Sequence, residues 1–261
     1  MMKVALKSDI GKKRATNQDF SDYFMNKKGY LLAVLCDGMG GHRSGDIASS
    51  MVASHLGEVW CKTDFQTTSD IKEWLHEAIN LENQRLLSKA ELSPELTGMG
   101  TTIVVAAASE DGIIIANVGD SRAYCLVRGQ IKQLTEDHSL VQELFKSGEI
   151  SASEAQNHPR KNVLTRSMGV NEPLLVDLFF YTYQTEELIL LCSDGLTNMI
   201  SPDEIQRVLA LPVSLEKKAD QLVNFANQRG GFDNITVLLI DFNDREEEIK
   251  NEKRKETKRS L

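Results

Sequence analysis

Residues 101–127 read TTIVVAAASEDGIIIANVGDSRAYCLV, and they decide the class of fold. The stretch holds three strand candidates, 101–108, 113–118 and 122–127, rich in Val, Ile, Leu and Tyr and bounded by Gly or Asp. No helical segment separates them. Gly119-Asp120-Ser121 reads as a hairpin-like turn between the last two. Strands in clusters, rather than in strict alternation with helices, favour antiparallel sheets covered by helices over a doubly wound parallel sheet.

Outward from this stretch, strands are predicted over 20–25, 30–36, 174–182, 188–192 and 235–242. Three helices are predicted. Residues 47–60 carry Ile47, Met51, Val52, Leu56, Val59 and Trp60 at helical spacing. Residues 70–90 open with Asp70 three before Glu73, a capping-box-like start, and put Ile71, Trp74, Leu75, Ala78 and Ile79 on one face. The third covers 215–228 and breaks at Gly230-Gly231.

The chain has 261 residues, 41% hydrophobic and 26% charged, which excludes a disordered chain and fits one large domain or two small ones. Thirty basic against 38 acidic residues leave a net charge of -8, the wrong sign for a general nucleic-acid or anionic-membrane binder. No apolar run approaches the ~18 residues that span a bilayer, and residues 1–13 lack the apolar stretch of a signal peptide. A soluble, cytoplasmic protein without membrane insertion is expected. The compositional break comes after 242. Residues 243–261 carry six acids and seven bases, so the body, 1–242, is near -9 and the tail cannot bury a core. Cys36, Cys61, Cys125 and Cys192 are far apart with no C-x-x-C pair, and read as buried reduced thiols in apolar strands rather than a redox switch.

The informative residues are acids at strand ends. Asp37 follows the run 31–36, Asp194 follows 188–193, Asp233 precedes 235–240, Asp120 ends 113–119, and Asp19 precedes 20–25. One such acid is usually a turn residue. Five half-buried carboxylates repel one another if they converge, and a divalent metal is the compensation. Oxygen-only ligation points to Mg or Mn rather than Zn. Whether the acids converge stays open at the level of sequence. Gly38-Met39-Gly40-Gly41 lacks the spacing of a P-loop or a dinucleotide fold; Gly38 instead lets its own carbonyl approach a metal. Arg14 lies five before Asp19, where it could fork a phosphate, although by position alone it reads as a surface arginine beside Lys12 and Lys13.

Taken together, several segments resemble the metal-dependent protein phosphatases of the PP2C type (the PPM family), in particular compact bacterial members. They are Ser8-Asp9-Ile10-Gly11, Arg14-x-x-Asn17-Gln18-Asp19, Asp37-Gly38-Met39-Gly40-Gly41-His42 with Gly45, and Gly98-Met99-Gly100-Thr101-Thr102. Further along come Asn117-Val118-Gly119-Asp120-Ser121-Arg122-x-Tyr124, Leu134-Thr135-x-Asp137-His138-Ser139, Leu164-Thr165-Arg166, Ser193-Asp194-Gly195-Leu196-Thr197 and Asp233-Asn234-Ile235-Thr236. The resemblance implies an α+β fold, a four-layer αββα sandwich of two central antiparallel β-sheets flanked by helices, and a phosphatase domain over 1–242 ahead of a charged tail.

It also implies a two-metal centre with Mn2+ or Mg2+. Asp37 would bridge both ions, Gly38 would offer its carbonyl, Asp194 and Asp233 would hold the first ion, and Asp19 would act directly or through water. Asp120, shared with Asp194, matches a third, weaker site. Arg14 matches the phosphate-gripping arginine, and 137–162 a mobile flap. The implied chemistry is hydrolysis of phosphoserine and phosphothreonine by direct attack of a metal-bridging hydroxide, with no phosphoenzyme. His42 is the candidate general acid. The family's animal members place that histidine directly after Asp-Gly, where this chain has Met39. His138 and His158 are secondary candidates. Phosphorylated proteins are the implied partners, including a bacterial membrane Ser/Thr kinase and its substrates, acted on by a monomer. Two other readings are a non-catalytic phosphoprotein binder, disfavoured because every ligand position keeps an aspartate, and a two-metal phosphoesterase for small metabolites or nucleic acid.

Overall fold

The computed structural model describes residues 2–40, 44–170, 173–182 and 188–242. Their strands, in chain order, are β1 (Lys3–Asp9), β2 (Asp19–Met25), β3 (Leu31–Met39), β4 (Gly100–Thr101), β5 (Ile103–Ala108), β6 (Gly112–Val118), β7 (Arg122–Val127), β8 (Gln130–Gln133), β9 (Asp177–Thr182), β10 (Leu188–Cys192) and β11 (Ile235–Asp241). The α-helices are α1 (Ser44–Trp60), α2 (Thr68–Leu92), α3 (Leu140–Lys146), α4 (Ala152–Gln156), α5 (Asp194–Thr197), α6 (Pro202–Leu209) and α7 (Leu215–Gln228).

The strands form two sheets. One has the order β1-β11-β10-β7-β8; the other has β2-β3-β5-β6-β9, with β4 paired to β3. The pairings within each are antiparallel. Alternation along β3 shows how they stack. Leu31, Ala33 and Leu35 enter the layer between the sheets, where they join Ile189, Leu191, Leu238 and Ile240 of the other sheet. Leu32, Val34 and Cys36 point the opposite way, into a second layer with Val52, Leu56 and Trp60 of α1 and Ile71, Leu75 and Ile79 of α2. On the far side, Leu190, Cys192, Val237 and Leu239 pack with Ile205 and Val208 of α6 and Leu222 and Val223 of α7. Central strands therefore read as unbroken apolar runs because helices or a second sheet cover both faces. The αββα sandwich is present.

The turn at Gly119-Asp120-Ser121 is a correction. It is no hairpin, because β6 and β7 belong to different sheets. The three residues carry the chain across the interlayer space, with Gly119 at φ 114, a conformation open to glycine. The start of α2 also differs. Thr67 is the N-cap, its hydroxyl accepting the N–H of Asp70, so Asp70 sits in the first turn. Strand β9 begins at Asp177 rather than 174 because the residues before it pair with no neighbour in the ladder. Cys36, Cys125 and Cys192 are buried and reduced, as expected, but Cys61 is exposed just past the end of α1.

Beyond the predicted elements the structure adds β1, β8 and the helices α3 to α6. β1 is a largely exposed edge strand carrying Lys3, Lys7 and Asp9, and β8 is a four-residue edge strand. α6 opens on a full capping box, Ser201 with Glu204, and has Pro202 at its first position. Among the described residues no helix is long and apolar enough to cross a membrane. The tail, 243–261, lies outside the described residues.

Trp60 anchors the helical layer. It is fully buried, donates its indole N–H to the Tyr30 carbonyl at 3.1 Å, and packs against Trp74 with ring centroids 5.2 Å apart. Trp60→Ala is expected to lower unfolding free energy by ~3–5 kcal/mol, read from urea denaturation.

Candidate metal centre

The acids sit where the sheets end. Asp19 and Asp37 open β2 and close the apolar part of β3, and they face each other in the β2–β3 register. Asp37 is held through its backbone: its N–H donates to Thr102 Oγ1 at 3.0 Å, and its carbonyl accepts from the Thr102 N–H and Thr101 Oγ1, each at 2.9 Å. Asp194 is the first residue of α5, directly beyond β10, and accepts from Asn198 Nδ2 at 2.9 Å. Asp233 precedes β11 and accepts from its own neighbour, the Asn234 N–H, at 2.8 Å. Asp120 stands in the crossing between β6 and β7. Five carboxylates from five separate segments thus converge at one end of the sandwich.

Their electrostatics record the crowding. Burial pushes Asp19 up to about 7; the hydroxyls of Thr236 and Ser193, the latter 2.8 Å from Oδ2, offset part of the rise, and Asp194 and Asp233 add repulsion. Asp37 rises well above the ordinary carboxylate range through burial and the charges of Asp19, Asp194, Asp120 and Asp233. Asp120 rises to about 8, through burial and then Asp194 and Asp137. Asp194 rises to about 6, through burial and then Asp233. Arg14 is the counter-charge: its Nη2 donates to Asp233 Oδ2 at 2.6 Å, and that bond raises its own pKa. The guanidinium read first as a surface group is therefore part of the ring, though its side chain is half exposed.

A hard divalent cation fits these residues. Asp19 Oδ1 is buried with no hydrogen-bond partner, and a buried carboxylate oxygen left so is costly. Added to Gly38, a Cβ would lie 2.0 Å from the Gly45 carbonyl oxygen and 2.6 Å from that of Gln18, so the backbone stays bare and closely packed there. The donors are all oxygen, the set that Mg2+ and Mn2+ take. Among the described residues no three acidic, imidazole or thiol side chains already meet around one point. The carboxylates lie close enough to raise one another, and the cations that offset them are Arg14 and Arg122.

The sequence reading brought Arg14, Asp19, Asp37, Gly38, Asp120, Asp194 and Asp233 forward, and the structure gathers all seven at this end. His42 lies outside the described residues. His138 is buried, and His158 bonds locally, its Nδ1 accepting the Arg160 N–H at 3.1 Å. One organising residue had no role assigned to it. The Asn234 side chain accepts the Gln18 N–H at 2.8 Å and donates to the carbonyls of Ile10 and Thr16 at 2.9 and 3.0 Å, stitching the Arg14 loop to Asp233. Its sequence signal was its place in the segment Asp233-Asn234-Ile235-Thr236.

Residues 11–239 match the family described as protein phosphatase 2C. A putative protein phosphatase 2C-type of Streptococcus pyogenes serotype M6 is 48% identical over 239 residues, covering 92% of this chain and 97% of that protein. The serine/threonine phosphatase of S. agalactiae superposes with a TM-score of 0.89 at 44% identity, over 92% of this chain and 99% of that one. The catalytic domain of the serine threonine protein phosphatase PstP, solved in complex with two manganese ions, superposes with a TM-score of 0.80 at 31% identity, over 92% and 97%. The chain belongs to the protein phosphatase 2C family, which is metal-dependent, and is a protein serine/threonine phosphatase.

The raised carboxyls set a pH dependence. Each binds its proton more tightly folded than unfolded, where an aspartate titrates near about 3.9. Their stabilising share is thus full below about pH 4 and lost as pH rises through about 6 to 8. In chelator, the melting temperature is expected to fall between about pH 5 and pH 8. Saturating Mn2+ is expected to reverse that fall most strongly at the high end, since a ligand of the folded state stabilises it. Thermal melts with EDTA or MnCl2 at both pH values check this.

Proposed function

We propose that two divalent cations, Mn2+ or Mg2+, would be held here, with Asp37 as a ligand to both and the Gly38 carbonyl, Asp194, Asp233 and Asp19 as the further donors. A third and weaker ion falls to Asp120 together with Asp194. The observation that carries this reading is Asp19 Oδ1, a buried oxygen without a partner inside a ring of carboxylates that raise one another. The PstP relative with its two manganese ions supports the same count. When bound, such ions supply Lewis-acid polarisation of the phosphoryl oxygens and activation of water near neutral pH.

The chain's own residues do the rest. Arg14 gives one N–H to Asp233 and keeps further donors of its planar fork for the phosphate of a phosphoserine or phosphothreonine. Its positive charge complements the charge building on the phosphoryl oxygens during transfer. Asn234 and Ser193 hold the loops and the Asp19 carboxylate in register. His42 is assigned as the acid that protonates the leaving alkoxide, on the chemistry of imidazole and its place in the Asp37–His42 segment. The four thiols take no part.

The substrates are phosphorylated proteins, and we assign to them a membrane-anchored Ser/Thr kinase and its targets, with the enzyme acting as a cytoplasmic monomer. The bacterial relatives named as serine/threonine phosphatases support phosphorylated proteins as the substrates.

Two measurements test the assignment. With Mn2+ and a phosphothreonine peptide, Asp194→Ala is expected to lose at least about a hundredfold in kcat/KM, beyond what outer-shell changes at metal sites cost; chelator should abolish wild-type activity. His42→Ala is expected to slow hydrolysis of the peptide, a poor leaving group, far more than that of p-nitrophenyl phosphate. Equal losses on both substrates would remove the acid assignment.

A further inference from the structure

Asp120 stands between two strands that belong to different sheets, so no ladder holds it. β6 ends at Val118 and β7 begins at Arg122. The preceding residue, Gly119, gives both of its backbone groups to one distant partner, His138. The Gly119 N–H donates to His138 Nδ1 at 3.1 Å, and the Gly119 carbonyl accepts the His138 N–H at 3.0 Å. That carbonyl also accepts from Asn117 Nδ2 at 3.3 Å. His138 itself is 5% exposed.

The far side of the ring is braced as well. His138 Nε2 lies 3.1 Å from Asp177 Oδ2, and Asp177 Oδ1 accepts from Arg166 Nη1 at 2.9 Å. With Nδ1 accepting the Gly119 N–H, Nε2 is the ring nitrogen turned to Asp177, and Arg166 Nη1 also lies 3.4 Å from it. The same residue also closes the base of a loop. Its carbonyl accepts the Thr165 N–H at 2.9 Å, Ser139 bridges to Leu164, and the Leu140 N–H reaches the Val163 carbonyl at 2.8 Å. Helices α3 and α4 lie inside the loop so formed.

We infer that His138 is a positioning residue for the weak cation site at Asp120, setting the Gly119–Asp120 turn and tying it to the base of the 139–164 loop. The inference rests on the reading of Asp120 given above. It differs from a role in packing because the contact is two directed hydrogen bonds to a single residue next to the carboxylate. An alanine leaves the Gly119 N–H buried and unpaired, whereas a glutamine keeps an acceptor within reach.

The test counts Mn2+ bound to the full chain by loss of the free-ion EPR signal, alongside thermal melts. Asp120→Asn serves as the reference for the weakest binding step. His138→Ala is expected to weaken that step about tenfold, in the range of outer-shell effects, and to leave the tighter steps unchanged. His138→Gln should stay within about threefold of wild type, and the Ala variant combined with Asp120→Asn should be no weaker than Asp120→Asn alone. If His138→Ala does not fold, Asp177→Ala, which keeps the imidazole and removes its brace, is expected to weaken the same step about threefold. Wild-type binding in both variants, or equal loosening of every step, overturns the inference while Asp120→Asn still loses the weak ion. Unchanged binding in Asp120→Asn overturns the Asp120 assignment and the inference with it.

Discussion

Repulsion among buried carboxylates governs this molecule. Asp19, Asp37, Asp120 and Asp194 all hold their protons more tightly than an aspartate in water, burial first and one another's charge second. A folded chain keeps such a cluster only when the surrounding packing imposes it, and here the sandwich does. Among the described residues, the layer between the two sheets buries sixteen apolar side chains, and the helical layers seal both outer faces. The strands cannot retreat without opening that core, so the acids at their ends stay where the strands end. A phosphatase exploits the conflict, because a cation that relieves it is held tightly and is pre-organised for phosphate chemistry.

Neutral hydrogen bonds prepare the ring without filling it. Thr101 and Thr102 fix the backbone of Asp37, Ser193 takes one oxygen of Asp19, Asn198 takes one of Asp194, and Asn234 joins the Arg14 loop to Asp233. None of these groups adds positive charge, so the demand for a cation survives. Arg14 is the exception, and its ion pair is half exposed, where solvent screens it. Arg122 is clamped in two hydrogen bonds to Asp137 at 2.8 and 2.6 Å, and its charge offsets part of the rise at Asp120 and Asp194.

Much of the fold was legible. Runs such as Leu188–Cys192 are apolar at every position, and α7 matched its predicted ends because Ser214 caps one end and glycines break the other. What misled was local. Gly119-Asp120-Ser121 has the composition of a tight turn, and turn chemistry is blind to which sheet the next strand joins. β1 and β8 were invisible because edge strands bury less and carry polar residues. Exposure of Cys61 likewise depends on where α1 stops against its neighbours, beyond what its own residue type reveals.

From sequence alone came the donor chemistry: acids at the ends of apolar strands, oxygen without sulfur or imidazole, a glycine beside Asp37, and a motif order that resembled one family. These follow from residue type and spacing along the chain. Only the tertiary structure decided that Asp19 through Asp233 lie close to one another at one end of the sandwich, that Arg14 belongs with them, and that Asn234 and His138 bond to Gln18 and Gly119 from 216 and 19 positions away. The reason is physical. Side-chain chemistry is written residue by residue, whereas proximity between distant segments is set by the burial of two sheets against each other, a collective effect no local pattern records.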